Sequence, residues 1–511
     1  MTPARNLGDI VRPPAAADGT AYIDVREEGA ESWTAGAFDR AIDAVAFGLQ
    51  SAGLGPGARV GILCGNRPEA LHLYFGAMRA GLTAVPINHR LAPDTIAYIV
   101  ADAGIDIIFA DARHLPLVPA GPGRRVIGTT GPQGFDAFVA GADMAAFESV
   151  APGPDLAAKI LYTSGSTGKP KGVLLTHPGQ CWSIEASLVR NPPGDARILV
   201  AAPYYHKNGL FNATVGLASG IPVVALPRFD ARLYLRTIAT HRCTMLSGVP
   251  TMFALMAREL DLLEALDFAH VQQVSVGSAP LSEALAATIA AMFPNAVVSN
   301  GYGTTEAGPV VFGPHPGGLP RPITSIGYPA HGVRLRIDGE GGDGDGGEGE
   351  LLLSTPAMMA GYVGAPDLTR QRLVDGWYRT GDVVRRDQDG FFYFVGRVDD
   401  MFVCGGENIF PVEVERLLER HPDVVQAAVV PAPDDIKGQV PVAFVVPRAG
   451  AELSEAALKR FALDHGPAYS HPRAVVMLDS LPLATTHKVD RSTLMQTASA
   501  VARARGRIGV G

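Results

Sequence analysis

The chain has 511 residues, 47% of them apolar and 18% charged, with a formal net charge of −8. That length suits several domains' worth of chain and a large core, and the acidic balance excludes nucleic acid or an anionic membrane as the main partner. Four scattered cysteines without a C-x-x-C pair exclude a disulfide scaffold or zinc ribbon, no apolar run reaches the ~20 residues that span a bilayer, and Met1 to Ala17 lacks a secretory apolar run, so a reduced, cytoplasmic protein without stable membrane association is expected.

Helical and strand patterns alternate from the first quarter of the chain. Phe38, Ile42, Val45 and Leu49 share a helical face, and Arg59 to Cys64 reads as a buried strand. Ala70, Leu71, Tyr74, Phe75 and Met78 form the next helical face, followed by a strand at Thr83 to Ile87, a helix at Asp94 to Asp102 and a strand at Asp106 to Ala110. The rhythm returns with a strand at Pro222 to Leu226, a helix at Ala231 to His241, a strand at Cys243 to Leu246 and a helix at Thr251 to Leu260. A strand at Gln273 to Val276, a helix at Ser282 to Met292 and a strand at Ala296 to Ser299 complete it. Such alternation predicts an α/β fold with mostly parallel sheets.

Between these runs lies Tyr162-Thr-Ser-Gly-Ser-Thr-Gly-Lys-Pro-Lys-Gly-Val173, after the strand-like Ile160-Leu161. Its glycines free backbone N–H groups to face an anion, its hydroxyls add donors, and Lys169 and Lys171 add charge, so a polyphosphate is the natural ligand. Pro170 directly after Lys169 rules out the strand–loop–helix of a Walker A loop, because proline lacks an N–H and pushes its predecessor out of the helical region.

The texture changes after about residue 310. Val333 to Ile337, Glu350 to Leu353 and Gly390 to Val395 are short strands of a small β subdomain, and the acidic, glycine-rich Glu340 to Glu350 is read as a solvated turn lacking the EF-hand ligand pattern. The last hundred residues hold an amphipathic helix at Pro411 to Arg420 and strands at Val424 to Val430 and Val440 to Val446, a separate α+β unit. The basic tail from Ala500 to Gly511 is expected to fray.

Further stretches join the glycine-rich loop in order: Pro203-Tyr-Tyr-His206, Gly277-Ser-Ala-Pro-Leu281, Asn300-Gly-Tyr-Gly-Thr-Thr-Glu-Ala-Gly308, Tyr378-Arg-Thr-Gly-Asp382, Gly396-Arg-Val-Asp399, Gly405-Gly-Glu-Asn-Ile409 and Thr486-His-Lys-Val489. Together they resemble the adenylate-forming superfamily of acyl-CoA synthetases, nonribosomal-peptide adenylation domains and luciferases, over essentially the whole chain. Small aryl or alkyl acid–CoA ligases are the most similar members, through Gly396-Arg-Val-Asp-Asp-Met401 and Gly405-Gly-Glu-Asn-Ile409. The resemblance implies an N-terminal adenylation domain over residues 1–396, built of layered α/β sheets plus the β subdomain. A hinge at 397–400 and a mobile C-terminal α+β domain at 401–511 follow.

It also implies ATP, Mg²⁺ and coenzyme A as cosubstrates and cofactor. Activating a carboxylate against a phosphate brings two anions together, so catalysis must come from positioning and charge neutralisation. By the resemblance, Lys488 is the adenylation lysine, and Thr163, Ser164, Gly165, Ser166, Thr167, Gly168, Lys169 and Lys171 hold phosphates. Glu306 with Thr163 binds the metal, and Thr305 donates to the α-phosphate. Tyr302 and Gly303, with Gly277, Ala279, Pro280 and Asn300, surround the base, while Asp382 and Arg397 take the ribose. His206 gates the acyl pocket, whose other walls are Asn208, Phe211, Gly277 and Gly301. Asp399 is the hinge, and Gly405, Gly406 and Glu407 serve thioester formation. Without the resemblance, Lys488 reads as a surface lysine, Tyr302 as core packing, and Asp382 and Arg397 as a surface ion pair.

The acid is less legible. No aspartate stands near His206 to pair an amino acid's ammonium, and Gly301 occupies the place where malonate-type ligases carry an arginine. Lys207 and Asn208 are polar for a pocket that takes long alkyl chains. A short branched or hydroxy acid, or an aryl acid, is expected. The alternatives are an adenylating enzyme that loads a carrier protein and a medium- or long-chain fatty acid–CoA ligase; a homodimer is left open.

Overall fold

The computed structural model describes residues 5–13, 18–26, 29–121, 125–129, 134–140, 147–163, 169–189, 194–434, 436–484 and 487–506. Two seven-stranded sheets carry the larger part of the chain. The first runs in space Val297–Gly301, Gln273–Gly277, Met245–Gly248, Ile198–Val200, Val223–Ala225, Thr20–Arg26 and Gly29–Thr34, parallel except for the last pair. The second has Thr83–Pro86, Arg59–Leu63, Ile107–Ala110 and Arg125–Gly128 as parallel neighbours, and Ala157–Thr163 joins Thr83–Pro86 in parallel. It then turns antiparallel through Lys171–Thr176 and Gly361–Tyr362.

The helix Pro68–Arg79 shows how the core is built. Of its 12 residues every one but Glu69 is buried, so it is no amphipathic surface helix but an element enclosed on all sides. Arg79 at its end is fully enclosed (0% exposed) and is held by Asp39 at 2.6 Å, Asp43 at 2.7 Å and the Gly8 carbonyl at 3.0 Å. Removing one partner of such a buried cation costs about 3–5 kcal/mol. The same region pins the segment before residue 13: Asn6 donates to the carbonyls of Met78 and Val150, and the Leu7 N–H donates to His177 Nδ1 at 3.0 Å. Proline opens the helices Pro68–Arg79, Pro93–Asp102, Pro250–Met256, Pro366–Arg372 and Pro411–Glu419, where its missing N–H has no helical partner to lose.

A five-stranded antiparallel sheet contains Arg334–Glu340, Glu348–Ser354, Trp377–Arg386, Leu373–Val374 and Phe392–Arg397. The acidic glycine-rich stretch is its hairpin turn. The last part has a hydrophobic core of its own, drawn from residues between Phe402 and Ala498, around the antiparallel pair Val424–Asp434 and Gly438–Pro447.

Three expectations change. The helix predicted over 251–260 is two helices, Pro250–Met256 and Leu260–Ala265, and the strand predicted from Cys243 begins at Met245. The helix Arg491–Gly506 takes in the first residues of the tail expected to fray from Ala500 to Gly511, and residues 507–511 lie outside the described residues. The hairpin Thr20–Arg26 with Gly29–Thr34, whose second strand is largely exposed, carried no clear sequence pattern.

Candidate active site

The glycine-rich loop joins an antiparallel pair of strands, Ala157–Thr163 and Lys171–Thr176. Thr163 and Lys171 face each other in register across that pair, so the loop is strand–loop–strand and not a Walker A cradle. Ser164 to Gly168 lie outside the described residues, whereas Lys169 sits 5.5 Å from the centre of the Tyr98 ring. Beside the loop base lies a cleft of about 370 Å³ lined by Lys171, Arg372, Gly381, Val398 and Asp399, among others.

Register also builds the next station. Asp382 and Arg397 are direct partners on adjacent antiparallel strands, and their side chains meet at 2.6 Å. The other Asp382 oxygen accepts the Tyr302 hydroxyl at 2.5 Å. Burial holds the Asp382 carboxyl above its usual range although Arg397 pulls the other way. Tyr302 stands just past the strand Val297–Gly301, its ring edge-on to Phe312. Asn300 is buried and spends its amide on the Thr324 carbonyl.

Gly277 and Gly301 face each other across neighbouring strands, and a Cβ on Gly277 would come within 3.0 Å of the Gly301 carbonyl. Two bare positions therefore let the two strand backbones lie close together here. Ser278, next along, has φ +66°, a left-handed conformation that costs a non-glycine residue energy and turns the chain sharply toward Ala279 and Pro280. Glu306 is reached by the Tyr362 hydroxyl at 3.1 Å on one oxygen; among the described residues the other oxygen has no recorded partner. Thr305 lies immediately before it.

Lys488 sits in a tight reversal of the C-terminal part. Leu483 and Val489 bridge, and Ala484 donates to the Lys488 carbonyl at 2.8 Å. His487 takes φ +58° and packs its ring against Phe229, 5.4 Å centre to centre, which docks the tip on the larger part. The Lys488 side chain is solvent-exposed yet has protein groups close around it. Burial lowers its pKa, Arg397 lowers it further and Asp382 opposes both.

His206 caps the helix Lys207–Ala218, and its Nε2 is buried with no partner among the described residues. Burial, reinforced by Lys488, Arg90 and His487, pushes its pKa down to about 4, so the imidazole is neutral near pH 7. Behind it stands a wall that the sequence did not reveal. Tyr205 packs edge-on to His206 at 4.6 Å, His89 edge-on to Tyr205 at 5.0 Å, and His114 stacks on His89 at 4.0 Å with Asp111 2.7 Å from its Nδ1. Lys207, noted in the sequence only for its polarity, donates to the Thr304 carbonyl at 2.8 Å, within the segment that leads to Glu306. Asn208 accepts from Asn212 at 2.6 Å, and Phe211 packs against the main core.

Asp399 sits in the turn Val398–Asp400 directly after Arg397, and among the described residues its ion pairs are long ones, to Arg372 at 3.8 Å and Arg397 at 3.9 Å. Gly405 and Gly406 form the two-residue tip of the hairpin Phe402–Cys404 with Glu407–Ile409, at φ +61° and +94°. Both glycines and Glu407 are solvent-exposed. The structure thus brings Lys488, Asp382, Arg397 and His206 within electrostatic reach of one another and leaves the glycine hairpin at the surface.

The chain matches two family models in order: AMP-binding enzyme over residues 13–363 and the AMP-binding enzyme C-terminal domain over 413–488. It is 32% identical to a feruloyl-CoA synthase of Amycolatopsis over 493 residues, 95% of this chain and 98% of that one. It is 35% identical to a sulfoacetate–CoA ligase of Cupriavidus necator over 467 residues, covering 88% and 89%. Among solved structures, an anthranilate CoA ligase in complex with anthranoyl-AMP superposes with TM-score 0.89 at 25% identity, covering 98% and 99%. The ATP-bound MatB of Rhodopseudomonas palustris gives 0.87 at 28% identity, covering 98% and 100%. With both models matched and whole-length relatives above 30% identity, the chain belongs to the AMP-binding, adenylate-forming enzymes.

Proposed function

We propose that the protein is an AMP-forming acid–CoA ligase acting on a small carboxylic acid. A carboxylate oxygen attacks the α-phosphorus of ATP, the bond to the β-phosphate breaks, and pyrophosphate leaves. A thiol sulfur then attacks the acyl carbonyl, and AMP departs with the electron pair of the carbon–oxygen bond. The observation that carries this reading is the Lys488 tip, seated against Phe229 with its ammonium under the influence of Asp382 and Arg397. There it neutralises the approach of carboxylate to phosphate. Asp382 and Arg397 hold the ribose, and Thr163, Lys169 and Lys171 flank the leaving pyrophosphate.

Mg²⁺ fits the donor set. No cluster of three or more His, Cys, Asp or Glu occurs among the described residues, but Glu306 has an oxygen to spare, and Mg²⁺ is commonly held by one carboxylate plus substrate phosphates. Glu306 and Thr163 would hold it, and it would supply charge neutralisation on the phosphates.

In the second half-reaction the C-terminal part turns about Asp399 and exchanges Lys488 for Gly405, Gly406 and Glu407. The long, partly exposed contacts of Asp399 cost at most about 1 kcal/mol each to break. His206, neutral and with its Nε2 unpartnered among the described residues, gates the thiol's path. A carrier-protein thiol is the second reading, favoured by 34% identity to a fatty acid–[acyl-carrier-protein] ligase of Streptomyces coeruleorubidus. No helix among the described residues is long and apolar enough to cross a membrane.

The test is AMP release from ATP with Mg²⁺ and CoA across a panel of acids, in wild type and Lys488→Ala. The variant should lose adenylate formation by about 10²-fold or more while still converting supplied acyl-AMP to thioester. Wild-type adenylation by the variant would refute the assignment, and AMP release independent of CoA would favour the carrier protein.

A further inference from the structure

The first turn of the helix Lys207–Ala218 carries a cation whose position helix stability does not explain. Lys207 is the first helical residue, where positive charge runs against the helix dipole. Its ammonium has one recorded hydrogen bond, to the Thr304 carbonyl, and among the described residues no carboxylate lies within ion-pair distance. Burial lowers the Lys207 pKa to about 7; Glu306 opposes that shift, while Lys488 and Lys159 add like charge. A half-buried amine with donors to spare and two cations for neighbours is held in its charged form when an anion joins it.

The residues around it say where that anion comes from. Asn208 follows on the same turn. Its side-chain oxygen accepts from Asn212, and its amide nitrogen has no partner among the described residues, so Lys207 and Asn208 together offer donors. Phe211, one turn on, adds apolar surface. The bare Gly277–Gly301 pair supplies no charge on its wall. On the proposed ligase reading the phosphates are served by Lys169, Lys171, Arg397 and Lys488, whereas the first turn of this helix offers Lys207 alone.

We infer that Lys207, aided by the Asn208 amide, receives a second anionic group on the substrate, so that the preferred acid is a short one bearing a further carboxylate or sulfonate beside the carboxylate that is activated. The inference rests on the ligase reading. Lys488 neutralises the reacting carboxylate and Lys207 the spectator anion, which enters without leaving an unpaired charge in the pocket.

The experiment compares kcat/KM for pyrophosphate release with malonate, succinate and sulfoacetate against propionate, butyrate and benzoate. Wild type should favour at least one of the dianionic acids over all three monoanionic ones by about tenfold or more. Lys207→Met should lower the ratio of dianionic to monoanionic kcat/KM by roughly fiftyfold, mainly through KM, and Lys207→Arg should restore much of it. An ATP-induced rise in melting temperature confirms that each variant is folded. A wild-type preference for monoanionic acids overturns the inference. So does a ratio that Lys207→Met leaves unchanged while the KM for ATP rises, which would assign the ammonium to the nucleotide. Failure of wild type to release pyrophosphate with any acid removes the ligase reading itself.

Discussion

Two buried histidines show how single residues couple this fold to pH. His177 accepts the Leu7 N–H on Nδ1, so its own proton sits on Nε2, and a second proton would set two N–H groups against each other. His72 lies between the rings of Trp33 and Phe38 with its Nε2 unpartnered among the described residues. Burial lowers His177 to about 4 and His72 to about 3 from an ordinary 6.5. Both are depressed, so the unfolded chain binds more protons between these values and 6.5, and stability falls as pH drops through that window. Each contributes a slope of about 1.4 kcal/mol per pH unit. Urea midpoints from pH 7 to 4.5 should fall accordingly, and His72→Leu should make the decline shallower; an unaltered slope would assign the acid sensitivity elsewhere. Neither histidine was visible in the sequence as more than composition, because its burial depends on partners far along the chain. Lys207 was half-legible for the same reason: its polarity shows, but its acceptor at Thr304 lies 97 residues away.

Elements were legible where their ends are chemically marked. The helix Ala231–His241 was read in full, since Asp230 caps it by accepting from Leu233 at 2.9 Å and left-handed Arg242 closes it. The run after Thr251 was misread because Ala257, Arg258 and Glu259 are ordinary helix formers. The break is set by distant partners: Arg232 pairs with Glu259, and Arg258 donates to the Asp479 carbonyl at 2.7 Å. Context also governs the helix that presents His206, Lys207 and Asn208. Gly209 lies against the turn before it, and an added Cβ would stand 2.4 Å from the carbonyl oxygens of both Ala202 and Pro203. Gly209→Ala should therefore lift the helix start, cost about 1–3 kcal/mol of stability and raise KM for the acid. A variant with wild-type urea midpoint and KM would show that the turn can yield freely.

For the whole molecule, the ordered motifs made the reaction class readable, but they could not say which face of the C-terminal part meets the cleft. That depends on packing such as the His487–Phe229 contact, which no local pattern encodes. The proposed rotation about Asp399 separates the two half-reactions. Proline at 399 would stiffen the turn by fixing φ. In Asp399→Pro, pyrophosphate release should persist while transfer of the acyl group to CoA falls by about 10²-fold. Equal loss of both steps would argue against a pivot at this residue.

The segment around Asn6 and Leu7 carries a consequence for how the chain reaches its fold on the ribosome. It emerges before the helix that ends in Arg79, and long before His177, yet its hydrogen bonds run to Met78, Val150 and His177, across sequence separations of 72, 144 and 170 residues. During synthesis, which proceeds at about 5–20 residues per second, it waits several seconds for those partners. Asp39 and Asp43 can meet Arg79 earlier, so this cation is partly neutralised before the segment settles over it. A segment made well before its partners is thus among the later parts to find its place, which leaves its apolar Leu7, Ile10 and Val11 uncovered in the interval.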